Sequence, residues 1–348
     1  MIDTLLLATP SPQYIIAGLA FASSLALLSA MMTLVYLVVK VPNFAQGTLV
    51  ICGTLVTVYA IDRVFYEHIG GPLYVLLYLA VPPIAGLLVA LLALAEYLLV
   101  IKPLRARGIG DVGVMISTLA FDIVLAGTLA IVVALVPAVN VRKIIDIGLR
   151  SYDVLLETPL GYMYLSDLLV LPVAVILAVA MHYLLYKTML GVALRASIEN
   201  PSLARVLGID VDRAYVTAWL LAGFLSGVIG SLVGFQLSSH YGGINPTRTQ
   251  YLFLISIFAG SVLGGMTSIY LSMLGGFIIG FSESILATTL NNFVLLTTGL
   301  NLQLHALKGI FSFTAIMVVL LAAPRGLASI DWERVLGFSR GGASEKPG

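Results

Sequence analysis

Residues 73–100 read LYVLLYLAVPPIAGLLVALLALAEYLLV, and Glu96 is the one charged side chain among them. A membrane-spanning helix needs about 20 mostly apolar residues. This run exceeds that length and predicts a helix that crosses a bilayer. On either side of it, comparable runs lie near 14–38, 44–62, 112–136, 166–186, 214–237, 250–268, 271–290 and 306–323. Gly47 and Gly53 interrupt the 44–62 run, which predicts a broken or re-entrant segment there. Only a tight turn around Gly264, Gly265 and Ser268 separates 250–268 from 271–290. The chain therefore reads as an all-α polytopic membrane protein with eight or nine transmembrane helices.

Composition agrees. Of the 348 residues, 60% are hydrophobic and 10% charged, and the mean hydropathy is +1.06. A soluble domain carries roughly 25% charged residues. So much apolar surface needs lipid as its solvent. The net charge of +1 gives no global field for nucleic acid or an acidic partner. The single cysteine, Cys52, cannot form an intrachain disulfide and reads as a small packing residue. The opening residues, MIDTLLLATPSPQ, have no basic region and no cleavage site, so the first span is expected to stay as an anchor. Residues 1–330 form one membrane domain. Residues 331–348 make a polar, glycine-containing tail that is expected to be mobile.

Lysine and arginine placement sets the orientation. With nine spans and the N-terminus outside, the inner side holds Lys40, Lys102, Arg105, Arg107, Lys187, Arg195, Arg205, Arg213, Arg325, Arg334, Arg340 and Lys346. The outer side holds Arg63, Arg142, Lys143, Arg150, Arg248 and Lys308. That bias predicts an outer N-terminus and an inner C-terminus.

Glycines recur four residues apart: Gly223 and Gly227, Gly230 and Gly234, Gly260 and Gly264, Gly276 and Gly280. In lipid, small residues at that spacing let backbones approach, so these pairs predict close helix contacts from residue 214 onward. Glu96, Asp122, His182 and Glu283 interrupt apolar runs. Charges at membrane depth face a partner or a cavity. Glu96 and Asp122 read as carboxylates that are hydrogen-bonded or protonated within the bundle, or that lie near a helix end, and His182 as a ring reaching the inner interface. Glu283, flanked by Ser282 and Ser284, is open to a structural or a pathway role. The sequence holds no metal-type His/Cys cluster, no nucleophile motif and no phosphate-binding G-x-x-x-x-G-K-[ST] loop. The chain is expected to be no enzyme, and any ATP motor is expected on another polypeptide.

The inner segment 187–213 is the longest polar stretch between spans on that side. Within it, Gly191, Arg195, Ala196, Glu199, Asn200, Pro201, Ala204, Leu207, Gly208 and Ile209 form a compact pattern. Asn200-Pro201 predicts the end of one short helix and the start of another, because proline suits a first helical position. Gly208 predicts the end of the second. Such an ordered protrusion suits docking to a partner protein, although a solvated connecting loop would carry the same pattern.

The segment GVALRASIENPSLARVLGIDVDR, residues 191–213, resembles the cytoplasmic coupling loop of the branched-chain amino acid ABC transporter permeases, the high-affinity leucine/isoleucine/valine uptake family. Three further stretches are similar to that family in the same order. Asn43-Phe44-Ala45-Gln46-Gly47 resembles its N-F-A-H-G motif. Ser261-Val262-Leu263-Gly264-Gly265, through Gly275-Gly276-Phe277-Ile278-Ile279-Gly280 and Glu283, resembles its glycine-rich helix pair. Ala323-Pro324-Arg325-Gly326-Leu327 resembles its P-x-G-L end. Gln46 departs from the family's usual histidine, and Thr48 from a frequent acidic residue. Urea and short-chain amide permeases share the pattern, which leaves the solute open.

The resemblance implies an ABC importer permease-like bundle in the plasma membrane. Its implied partners are two ABC ATPase subunits, a second permease chain of the same or a different kind, and an extracytoplasmic solute-binding protein, with no cofactor. It implies that Gly191, Arg195, Ala196, Glu199, Asn200, Pro201, Ala204 and Gly208 couple to an ATPase. Asn43, Gln46 and Thr48 at the broken second span, with Glu283, are candidates for the solute pathway. An ion-coupled secondary transporter would instead need an inverted repeat, and a channel a ring of pore charges; neither stands out.

Overall fold

A computed structural model describes residues 11–60, 72–135, 155–158, 161–241, 246–299, 308–323 and 325–329. The expected tail 331–348 lies outside the described residues. In chain order the helices are α1 (Pro12–Val39), α2 (Gln46–Ala60), α3 (Pro72–Glu96), α4 (Lys102–Ala106), α5 (Asp111–Leu135), α6 (Leu165–Lys187), α7 (Met189–Glu199), α8 (Pro201–Val206), α9 (Val211–Tyr241), α10 (Pro246–Gly264), α11 (Ile269–Phe281), α12 (Ala287–Thr298) and α13 (Lys308–Ala322). Single π-helical turns at Tyr97–Ile101 and Ser282–Leu286 carry α3 into α4 and α11 into α12. Among the described residues, seven helical stretches are long and apolar enough to cross a membrane, and α2 and α10 are shorter apolar helices. They fall on the nine runs legible in the sequence. A two-stranded antiparallel hairpin, β1 (Leu155–Thr158) with β2 (Gly161–Tyr164), precedes α6 and is the one departure from an all-α reading among the described residues.

α1 is the centre of the bundle. It is apolar on every face, and nearly every side chain from Ala20 to Val35 is buried. A helix of that kind belongs inside rather than at the lipid boundary. Pro12 opens it, and Lys40, in the left-handed region at φ 64°, closes it by donating its N–H to the Tyr36 carbonyl. α9 packs against α3 through Gly223 and Gly227, and against α2 through Gly230 and Gly234. A Cβ on Gly227 would lie 2.8 Å from Gly86 Cα, and one on Gly230 would meet the Val50 carbonyl. α11 sits equally close to α1 and α10, where Gly276 faces Ser29 and Gly260. Hydroxyls stitch the same seam: Ser29 donates to the Ile257 carbonyl at 3.0 Å, Ser261 to the Ser29 carbonyl at 3.0 Å, and Thr33 to Ser272 at 2.7 Å. Close backbones plus interhelical hydroxyls hold helices together where lipid offers no hydrophobic drive.

Gly47 and Gly53 do not break α2, contrary to expectation. Both lie within a continuous helix, where they permit contact: Gly47 faces the Gln250 carbonyl and Gly53 the Gly227 carbonyl. The irregular backbone lies one step earlier, at residues 40–45, where Val41, Asn43 and Ala45 are buried. The turn between α10 and α11 is as tight as expected. Gly265 takes φ +91°, and Ser268 caps α11 by accepting the Leu271 N–H.

One end of the bundle gathers the loops that the charge bias assigns to the inside. Lys102 pairs with Asp212 at 2.9 Å and Arg105 with Asp111 at 2.7 Å, and Arg105 also donates to the Val39 carbonyl at 2.5 Å. The α10–α11 turn packs there on the Arg325 carbonyl. The hairpin α7–α8 projects from this end.

Candidate functional site

Three of the four candidate pathway residues meet at the entry to α2. Asn43 accepts the Ala45 N–H at 2.8 Å through its side-chain oxygen and donates to Glu96 Oε2 at 3.0 Å through its nitrogen. Gln46 donates to Ser226 on α9 at 2.5 Å, and Thr48 donates to Asp122 on α5. The Phe44 N–H reaches Thr118, one turn before Asp122, at 3.4 Å. The short irregular segment is thus clasped by α3, α5 and α9. Asn43, Gln46, Thr48, Glu96 and Asp122 are each at most 1% exposed. Glu96 and Asp122 are hydrogen-bonded within the bundle, as the sequence predicts, and their partners are the residues singled out for the pathway. Thr48, where the resembled motif often has an acidic residue, borrows a carboxylate from α5.

The clasp is incompletely satisfied. Glu96 Oε1, Asp122 Oδ2, Gln250 Nε2 and, on α9, Trp219 Nε1 are buried without a hydrogen-bond partner among the described residues. Buried polar atoms are nearly always paired, so four orphans in neighbouring elements are unusual. Irregular backbone at membrane depth is tolerated where it is enclosed by protein or lines a cavity.

Glu283 belongs to a second cluster. It lies in the π-turn between α11 and α12, accepts from Ser256 on α10 at 2.7 Å, and accepts from Ser312 on α13. π-turns interrupt helices most often at functional positions. The carboxylate ties three helices together. His182, expected near the inner interface, is 2.7 Å from the Tyr270 hydroxyl through Nδ1.

The hairpin α7–α8 folds as its sequence predicts. Thr188 caps α7 by accepting the Gly191 N–H at 3.2 Å, and Asn200 caps α8 by accepting the Leu203 N–H at 3.0 Å with Pro201 in first position. Gly208 follows α8 at φ +81°. Gly191, Leu194 and Ser197 turn inward onto α6 and α9, and Gly191 has no room for a Cβ beside the Leu184 and Leu185 carbonyls. Ala204 is buried, Ala196 is half-buried and Glu199 is exposed. Arg195 lies over the Tyr186 ring at 4.4 Å. The outward face is apolar, with Leu203 53%, Leu207 70% and Val206 83% exposed. Leu207 stands in the pattern read from the sequence, whereas Leu203 and Val206 were missed, although the i, i+3, i+4 spacing of the three carries the signal of one helix face.

Among the described residues, seven long apolar helices and two shorter ones, with a clasped, irregular segment between them and a capped helical hairpin at one end, define a polytopic helical membrane protein. A family model described as branched-chain amino acid transport system / permease component matches residues 14–321. The chain belongs to that family, the permeases of branched-chain amino acid ABC transporters. It is 33% identical over 95% of its length to a probable branched-chain amino acid transport permease protein of Methanocaldococcus jannaschii, covering 97% of that relative. It is 25% identical to a high-affinity branched-chain amino acid transport system permease protein of Pseudomonas aeruginosa, and 24% identical to one of Escherichia coli K12; both matches cover 90% of this chain and 94% of the relative. No solved structure matches the chain significantly.

Proposed function

We propose that this chain is the membrane-spanning permease subunit of an ATP-driven importer for branched-chain or related amino acids. It would work with two separate ATPase subunits, a second permease chain and an external solute-binding protein. The observation that carries this is the hairpin α7–α8: capped at both helix starts, seated on α6 and α9, and presenting Leu203, Val206 and Leu207 to solvent. Isolated apolar residues are common on surfaces, but a contiguous triad on a short, rigid projection fits a partner's groove. Gly191, Ala196, Asn200, Pro201, Ala204 and Gly208 build the projection, and Arg195 and Glu199 flank it.

Movement of the ATPases would reach the membrane through this rigid element, because Gly191 and Leu194 leave no slack against α6 and α9. From α9 it passes to α2 and α3 across the glycine contacts, and so to the clasp at Asn43, Gln46 and Thr48, where the solute would pass. Glu283 would hold α10, α12 and α13 as one body beside it. The basic end faces the cytoplasm, with the N-terminus outside and the C-terminus inside.

Deletion of residues 195–209, or Val206→Asp with Leu207→Asp, is expected to abolish co-purification of the ATPase while the chain still inserts in the membrane. Undiminished co-purification of an inserted variant would sink the coupling role.

A further inference from the structure

Beneath α7 lies a cleft of about 240 Å³, formed where α7 crosses the ends of α1 and α6 and the start of α11. Drug-sized pockets run to roughly 300–1,000 Å³, so this one suits a smaller solute. Leu37, Leu185, Leu194 and Ile198 make one aliphatic wall. Two charges share the cleft. The Arg195 guanidinium is held over Tyr186, which stacks on His182 at 5.1 Å, and His182 in turn is bonded to Tyr270. The aromatic stack fixes the guanidinium in position. Glu199 lines the same cleft one helical turn later. Neither Arg195 nor Glu199 forms an ion pair among the described residues, although Lys102, Arg105 and Arg213 at this end all do.

A planar guanidinium matches a carboxylate in bidentate fashion, and a carboxylate accepts from an ammonium. A cation and an anion one turn apart, beside an aliphatic wall, are the complement of a zwitterion with an aliphatic side chain. We propose that this cleft binds a free aliphatic amino acid from the cytoplasmic side, its carboxylate on Arg195, its ammonium on Glu199 and its side chain against Leu37, Leu185, Leu194 and Ile198. The inference rests on the importer function proposed above for the solute class and for the side of the membrane. Its consequence is feedback. An occupied cleft fastens α7 to α1, α6 and α11, so accumulated product slows the element through which the ATPases act.

The test uses the purified permease–ATPase complex in nanodiscs, without the external binding protein. Equilibrium dialysis with tritiated leucine is expected to show saturable binding. Valine should compete, whereas leucinamide, which lacks the carboxylate, and 4-methyl-2-oxopentanoate, which lacks the ammonium, should not. Arg195→Ala and Glu199→Gln are each expected to weaken binding by about tenfold or more. Glu199→Gln is isosteric at an exposed position and retains the fold. Leucine supplied only on the ATPase side should slow ATP hydrolysis in the parent complex. The proposal is overturned if a complex that takes up leucine with its binding protein shows no saturable binding in dialysis. It is overturned equally if Glu199→Gln binds leucine as the parent does, or if the cleft is filled by an ethanolamine phospholipid that leucine does not displace. A complex that takes up no leucine at all refutes the importer function itself, which is a separate result.

Discussion

Asn43 uses both ends of its amide: the oxygen shapes the backbone turn into α2, and the nitrogen holds Glu96. Removing one partner of a buried hydrogen bond costs about 1–3 kcal/mol, because the other is left unsatisfied. Asn43→Ala and Glu96→Ala should each lower stability by that amount in detergent unfolding. The double variant should cost less than the sum by about 1 kcal/mol, as contacting residues do. Strict additivity would show that the pair is not coupled. The chemistry of this site was half legible. The sequence marks Glu96 and Asp122 as carboxylates that need partners, and Asn43 and Thr48 as polar residues at a membrane entry. It could not join them, because the pairs are separated by 53 and 74 positions and meet only through the packing of α3 and α5 on α2.

At the scale of elements, the glycine spacing predicts contacts that the helices then make. Gly230 lies against the Val50 backbone, whereas Gly127 on α5 has nothing within 4 Å of a Cβ. Gly230→Leu should therefore abolish assembly of α9 on α2, read as loss of monodisperse protein. Gly127→Leu should be tolerated, with a gain of up to about 1 kcal/mol from helix propensity. Equal damage at both sites would contradict the packing. Gly47 and Gly53 were misread for the same reason: spacing alone does not tell a glycine that breaks a helix from one that admits a neighbour. On the hairpin α7–α8, Asn200→Ala removes the α8 cap and should cost about 1 kcal/mol of local stability. Hydrogen exchange in residues 201–207 should rise in that variant and stay near the parent's in Asn200→Asp. Unchanged exchange in Asn200→Ala would show that the cap does not order α8. The hairpin's caps were legible because side-chain capping is local, and its exposed apolar face was not, because exposure depends on what α7 leaves uncovered.

For the whole molecule, the spans were legible because lipid demands long apolar helices, and the short hairpin β1–β2 was hidden by its length of four residues per strand. The basic end gathers Lys102, Arg105 and Arg213 with the hairpin α7–α8. With the buried native Cys52 as background, Leu207→Cys should react with a membrane-impermeant maleimide in inside-out vesicles and not in intact cells. The reverse pattern would invert the topology and remove the hairpin from any cytoplasmic ATPase. The most direct measurement of function is leucine uptake into proteoliposomes that hold this chain with its cognate permease partner and ATPases and receive the external binding protein. The importer function predicts uptake that requires ATP hydrolysis and is lost on deleting residues 195–209. Uptake that proceeds without ATP, driven by an ion gradient alone, would contradict it.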